Sequence, residues 1–389
     1  AAVESTVAAA DTSSTSVPAV IPSLGRDDGG IDRFRASAAY AYVCGAAVDW
    51  RTMCAGGRLV DLPTYAFDRR RFWLTDESAP SSDALGLGDT GHALLRAVVD
   101  LPDSGGVVLT GRLALSDQPW LADHAVAGTV LFPGTGFVEL AVRAGDHVDC
   151  TTVDELALHA PLVLTPGVPV RLQVVVDSAP SAGGGRAVSV FSKPCSDDAT
   201  VWTLHADGVL SPQAVEPSAD LTQWPPAGAR PIEISEAYED MASRGFEYGP
   251  AFRGLTAVWR RGDEVFAEVV APQELKTDDF GVHPALLDSA LHALLAAADD
   301  SDLALPFAWR GVALHAAGAS AARVRIAPAG PRAVSIELAD TLGLPVLSVA
   351  SMSVRPVTAE QLQAARGADS GGELFTLEWA PVTAPAGAA

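Results

Sequence analysis

The chain has 389 residues, 48% of them apolar and only 19% charged, a length of roughly two to three domains that excludes a disordered tail or a solvated coiled coil as its main content. Its 26 basic and 48 acidic side chains leave a formal charge of −22, so the surface repels phosphate backbones and anionic headgroups, and neither nucleic acid nor membrane is an expected partner. The 35 glycines and 27 prolines point to a turn-rich α+β protein.

Residues 1–24 carry small side chains without clear periodicity and lack the basic start of an export signal. The first residue is Ala1 rather than Met, which suggests a piece of a longer polypeptide. A turn-forming run from Gly25 to Gly30 precedes a helix predicted over 31–44. An aromatic-basic segment at 62–74 follows, with Arg69, Arg70 and Arg71 among Tyr65, Phe67, Phe72 and Trp73. In so acidic a chain it reads as a surface packed on a neighbouring domain rather than a nucleic-acid patch. Residues 78–89 read as a linker, with a new domain beginning near Thr90.

From Thr90 onward the chain carries a weak internal duplication. In the first half, alternating residues at 107–115 precede a turn at Pro133-Gly134-Thr135-Gly136. An apolar helix at 137–144 follows, then strands at 153–164, 170–176, 187–192 and 202–210. In the second half, a short helix at 234–243 and strands at 255–259 and 264–270 precede a longer helix at 284–297. Strands at 312–316, 322–326, 334–338 and 346–354 complete it. The helix after Pro284 is apolar on nearly every side and must be covered. Two antiparallel sheets, each wrapped around one central helix, satisfy this pattern: a double hotdog.

No stretch approaches about 18 uninterrupted apolar residues, so no membrane span is expected. Cys44, Cys54, Cys150 and Cys195 lie far apart without a C-x-x-C pair, which suggests neither zinc nor a disulfide framework. These features together predict a cytoplasmic protein.

His124, Gly128 and Pro133 stand in an H-x-x-x-G-x-x-x-x-P spacing, followed directly by Gly134-Thr135-Gly136-Phe137. Asp288 and His292 sit four apart on the apolar helix and project from one face. A carboxyl that burial keeps protonated can donate to a leaving hydroxyl, while a neutral histidine can accept a proton. One such residue from each half suits β-elimination of water: His124 removes the α-proton of a 3-hydroxyacyl thioester and Asp288 protonates the departing hydroxyl. The Gly134 N–H, at a helix start, is a candidate donor to the developing enolate oxygen. No metal or redox cofactor is needed for that chemistry.

At this point the sequence resembles the dehydratase domains of modular type I polyketide synthases. The segment from His124 to Pro133 resembles that family's catalytic-histidine motif, and Asp288 to His292 its D-x-x-x-Q/H motif, 164 residues later. Tyr248-Gly249-Pro250-Ala251-Phe252 matches most of G-Y-G-P-x-F, with Glu247 where that motif has its first glycine. Leu305-Pro306-Phe307-Ala308-Trp309 resembles L-P-F-x-W. The resemblance implies that Tyr248 hydrogen-bonds the β-hydroxyl or shapes the pocket and that His292 orients Asp288. It further implies no intrinsic cofactor, a substrate carried on the phosphopantetheine of an acyl carrier protein, and a homodimer. Arg253 and Arg310 are candidates for the mouth of the tunnel.

By the same resemblance, residues 1–45 are the remnant of an acyltransferase domain, 46–89 its following linker, 90–228 the N-terminal hotdog and 229–360 the C-terminal hotdog. Residues 361–389, with Leu374 to Trp379, lead to a ketoreductase-associated region. Two rival readings stay open: another hotdog thioester enzyme (thioesterase, isomerase or pyran-forming cyclase), and a decayed, non-catalytic structural domain. Isomerising relatives typically lack the acidic residue of the second motif, so Asp288 counts against that rival.

Overall fold

The computed structural model describes residues 19–58, 86–178, 184–196, 201–217, 219–297 and 304–357. The expectations for residues 1–18, for the aromatic-basic segment at 62–74, for most of the linker at 78–89 and for residues 361–389 lie outside the described residues. The chain divides into two compact units, 1–75 and 76–389.

In the first unit, α1 (Ile31–Val43) ends one residue before its predicted limit and buries none of its side chains. Ile31, Phe34, Tyr40, Tyr42 and Val43 are exposed on it. The single turn α2 (Trp50–Met53) starts where the Asp49 carboxylate accepts the Arg51 and Thr52 amides at 3.1 and 3.4 Å, satisfying donors that a helix start leaves free.

The second unit holds strands β1 (Gly88–Asp89), β2 (Ala97–Leu101), β3 (Gly106–Leu113), β4 (His124–Val126) and β5 (Thr129–Val130), then helix α3 (Gly134–His147). Strands β6 (Thr152–Leu158), β7 (Val170–Val176), β8 (Arg186–Pro194) and β9 (Thr203–Ser211) complete its first half. The second half runs β10 (Arg230–Ile232), α4 (Ala237–Ser243), β11 (Phe246–Tyr248), β12 (Leu255–Arg261), β13 (Glu264–Val270) and α5 (Pro284–Ala297). It ends with β14 (Ala304–Leu314), β15 (Ala321–Gly330), β16 (Ala333–Ala339) and β17 (Pro345–Pro356). The long sheet begins at β1, two residues before Thr90, because Gly88 and Asp89 pair with Val98 and Ala97.

Among the described residues, fourteen strands form one antiparallel sheet in the order β1-β2-β3-β7-β8-β9-β6-β14-β17-β16-β15-β13-β12-β10. Each half supplies seven neighbouring strands, and the seam between them is β6 against β14, with Leu156 opposite Trp309 and Val153 opposite Val312. The architecture is a double hotdog. Strand β7 shows why the sheet can wrap a helix: Val170, Leu172, Val174 and Val176 are buried, alternating with more exposed residues. Helix α3 turns Phe137, Val138, Leu140, Ala141 and Ala144 inward, whereas α5 is buried continuously from Pro284 to Ala293.

Two polar links fasten α3 to the start of α5. The buried Glu139 carboxylate accepts the Gly281 and Val282 amides at 2.7 and 3.0 Å, and Thr135 Oγ1 donates to the Pro284 carbonyl at 3.0 Å. His92 Nδ1 accepts the Leu94 and Leu95 amides, so its Nε2 is the nitrogen that donates to Glu139 at 3.2 Å. Removing Glu139 would leave the half-buried Gly281 amide and the buried Val282 amide unpaired, at a cost of about 1–3 kcal/mol for the latter.

His283 stands just before α5. Its Nδ1 accepts the Ala285 amide at 3.1 Å, while Trp120 and Phe280 flank the ring at centroid distances of 4.6 and 4.4 Å. Burial pushes its pKa down to about 3, so the unfolded chain binds a proton that the folded chain refuses. Stability is therefore lost as pH falls below the ordinary histidine value of 6.5 towards 3. His283→Asn keeps a side-chain acceptor for Ala285 and removes the titration. Urea midpoints at pH 7 and pH 5 should show that the wild type loses about 2 kcal/mol more than the variant over that interval, and equal losses would contradict the assignment.

Candidate active site

His124 is placed by a tight hairpin. Val126 pairs with Thr129, and the intervening Ala127 and Gly128 have φ of +47° and +72°, the left-handed pair that a two-residue turn requires. Gly128 thus owes its place in the motif to the turn. The hairpin carries Leu131 back beside His124, where the Leu131 amide donates to the His124 carbonyl at 3.1 Å. His124 Nδ1 lies 2.9 Å from the Leu131 carbonyl. A carbonyl can only accept, so Nδ1 carries the proton and the neutral ring's Nε2 keeps its lone pair. Burial lowers the His124 pKa below 6.5, an effect that an ionised Asp288 offsets in part. Pro133 then caps α3 in extended backbone with ψ of 147°.

The second half reaches this strand through β11. Tyr248 pairs with His124, Glu247 with Ala125 and Phe246 with Val126, so a second-half residue lies directly opposite the first-half histidine. Asp123 secures the next residues: its carbonyl accepts the Gly249 amide and its carboxylate the Ala251 amide, both at 2.8 Å. A side chain at Gly249 would collide with the Asp123 carboxylate. Glu247, unexpected at its motif position, accepts the Gly128 amide at 3.1 Å and so braces the hairpin turn.

Helix α5 delivers the carboxylate. His124 Nε2 lies 3.8 Å from Asp288 Oδ2, and His292 Nε2, one turn along, lies 3.1 Å from the same oxygen. The Tyr248 and His292 rings approach to a centroid distance of 3.9 Å. Asp288 is 6% exposed and His292 not at all, so hydrogen bonds between them act in a medium of low dielectric. Burial, with a further contribution whenever Asp288 is ionised, holds the Tyr248 hydroxyl well above its ordinary value, keeping it a neutral donor.

These groups open onto a cavity of 440 Å³ whose lining includes His124, Tyr248, Asp288, His292 and Gly134. Gly128 and Pro133 do not line it; the first shapes the turn and the second the helix start. Phe132, Phe137 and Leu291 contribute apolar wall, so a thioester's reacting atoms would meet the polar groups while its chain stays among hydrocarbon. Leu305, Pro306 and Phe307 also line the cavity, whereas Trp309 is wholly buried at the seam of the halves.

Sequence reasoning missed two residues at the site. Tyr238, on α4, places its hydroxyl 3.5 Å from His292 Nδ1 and accepts the Leu255 amide at 3.0 Å. Burial raises its pKa to about 12. No motif marks it, and its only signal was membership of a predicted helix. Arg355 is exposed, lines the cavity and lies 4.3 Å from the Phe307 ring centroid. The two arginines expected at the tunnel mouth are engaged elsewhere. Arg253 Nε donates to the Tyr248 carbonyl at 2.8 Å, Arg310 pairs with exposed Glu155 at 2.9 Å, and neither lines the cavity.

Two family descriptions match the chain: "polyketide synthase dehydratase domain" over residues 92–193 and "polyketide synthase dehydratase N-terminal domain" over residues 216–364. Mycoketide-CoA synthase of Mycobacterium tuberculosis is 59% identical over 384 residues, covering 98% of this chain. The chain spans only 9–24% of the length of three curated relatives that it matches. Among solved structures, a protein from work on dehydratase substrate selection in the borrelidin and fluvirucin polyketide synthases is 48% identical, with a TM-score of 0.68. That match covers 71% of this chain and 99% of the other. The dehydratase domain from the terminal module of the rifamycin polyketide synthase is 46% identical, with a TM-score of 0.67 over 71% of this chain and all of that one.

Proposed function

The chain belongs to the polyketide synthase dehydratase family, and from that premise we propose that it eliminates water from a 3-hydroxyacyl thioester, held on the phosphopantetheine of an acyl carrier protein, to give the 2-enoyl thioester. The observation that carries this reading is the meeting of His124 Nε2 and the Asp288 carboxyl at 3.8 Å over one cavity. One group comes from each half of the fold.

The Leu131 carbonyl holds the His124 proton on Nδ1, so Nε2 is the base that takes the α-proton of the substrate. Electrons of that C–H bond form the new double bond as the β-carbon–oxygen bond breaks. A proton from Asp288 passes to the departing hydroxyl, which leaves as water. The Tyr248 hydroxyl, facing the same cavity, donates to the β-hydroxyl and holds it towards Asp288. The Gly134 N–H, at the positive end of α3, is assigned to the thioester oxygen, where charge builds up. The step leaves a His124 cation beside an Asp288 anion, and transfer of the proton between them restores the starting state.

His292 steadies the acid. With Nδ1 facing the Tyr238 hydroxyl and Nε2 facing Asp288, a neutral His292 donates from Nε2 to Oδ2, and the acidic proton is assigned to the other carboxyl oxygen. The surrounding polyketide synthase domains, including an acyltransferase before this chain and a ketoreductase after it, complete the proposed setting. The large relatives are themselves synthases of much greater length.

Mass spectrometry of a short 3-hydroxyacyl group on a carrier protein tests the reaction. Loss of one water is the expected result, whereas accumulation of free acid would favour hydrolysis. The pH profile gives a second check. Protonated His124 cannot act as base, so kcat/KM should fall with decreasing pH through the pKa of His124. That value is depressed by burial, which places the acid limb below pH 6.5. A limb centred above pH 7 would remove His124 from the role of base.

A further inference from the structure

We propose that the substrate cavity continues into a second, apolar chamber that receives the distal carbons of a long acyl chain, an inference that rests on the dehydratase reading for the identity of the thioester head. The chamber has a volume of 210 Å³ beside the 440 Å³ of the first cavity. Leu294, Met352 and Val354 line both spaces. The wall between them is therefore made of aliphatic side chains, one of them an unbranched methionine that can change rotamer at little cost.

Strand register shows that the two spaces follow one face of the sheet. Trp309 pairs with Met352, Met352 with Val334, and Val334 with Pro328. Residues paired directly across strands point to the same side, so this row crosses β14, β17, β16 and β15 on a single face. Ile326, two residues from Pro328 on β15, shares that face and also lines the chamber. Leu294, from the last turns of α5, lines the chamber as well. The first cavity carries the titratable groups His124, Tyr248, Asp288 and His292, with His159 and Arg355 also on its lining. At the chamber, the charged lining residues are Asp263 and Arg332, both exposed and both in the turns that join β12 to β13 and β15 to β16. This gradient fits a ligand with a polar thioester head and an unfunctionalised hydrocarbon tail.

The test measures binding of two saturated acyl pantetheines, which have no hydroxyl to lose, to the whole 389-residue chain. Each methylene moved out of water strengthens binding about fourfold, so a chain of roughly fourteen carbons should bind at least about fiftyfold tighter than one of roughly six. Val334→Phe, which fills the chamber, should lower that long-to-short ratio at least about tenfold. A ratio near one in the wild type, or a ratio that survives Val334→Phe, overturns the chamber. A second measurement needs no variant: a long acyl pantetheine with a terminal diazirine should photolabel Ile326, Pro328 or Val334. Labelling confined to the neighbourhood of His159 and Pro161, elsewhere on the first cavity, overturns the proposal. Dehydration of a short 3-hydroxyacyl thioester by the wild type is assayed alongside. Its failure with the chain-length ratio intact rejects the dehydratase reading and leaves the chamber, and the reverse pattern rejects the chamber alone.

Discussion

Replacing His124 with Ala should reduce kcat for dehydration by about a thousandfold, the range associated with loss of a positioned general base. The imidazole is the group whose free nitrogen both faces Asp288 at 3.8 Å and is kept unprotonated by a carbonyl 2.9 Å from the opposite ring nitrogen. The hairpin itself should survive, because the His124 carbonyl still receives the Leu131 amide and β4 still pairs with β11. An unchanged thermal melt together with lost turnover would support the role. A variant that retains more than about a tenth of wild-type kcat would assign the base elsewhere.

Asp288→Asn should lower kcat by a similar factor of about a thousand while leaving substrate affinity within about threefold, since the amide preserves volume and its oxygen can still accept from His292 Nε2 at the 3.1 Å contact. What it lacks is an acidic proton for the leaving hydroxyl. The separation of kcat from binding is the informative part: a variant that loses both has lost the shape of the pocket, and one that loses neither shows that Asp288 is not the acid. Combining the two substitutions should cost little more than either alone, because a base and an acid that act in one elimination are not additive.

Much of the fold was legible in local pattern. The predicted limits of β7, β13 and α5 coincide with the observed ones, since long apolar alternation or a fully apolar helix leaves little choice of period. Where the reading fell short, a specific feature intervened. Helix α4 begins at Ala237 rather than 234 because the Glu233 carboxylate takes the Ile234 and Ser235 amides at 3.1 Å, holding a turn there. Strand β14 begins at Ala304 rather than 312. Pro306, which lacks a backbone donor, lies inside the added segment, and the sheet accommodates it with an irregular register between Pro306 and Ala308. Strands β4, β5 and β11 have two or three residues each, too few to show any period.

Those short strands decide the site. The alternation of Phe246 and Tyr248 about Glu247, just before Gly249 and Pro250, was the faint sign of β11, but nothing local indicates that its partner lies more than a hundred residues earlier. The sequence by itself determined the residue types needed for acid–base chemistry, the duplication, and two helices that had to be buried. Only the tertiary structure decided that Tyr248 lies opposite His124, that the Leu131 carbonyl sets the histidine tautomer, and that Glu247 braces a turn where glycine was expected. Hydrophobic periodicity is a local property that each segment carries alone. Strand register and hydrogen-bond partners between distant segments are settled jointly, by whichever packing of both halves leaves the fewest buried polar groups unpaired.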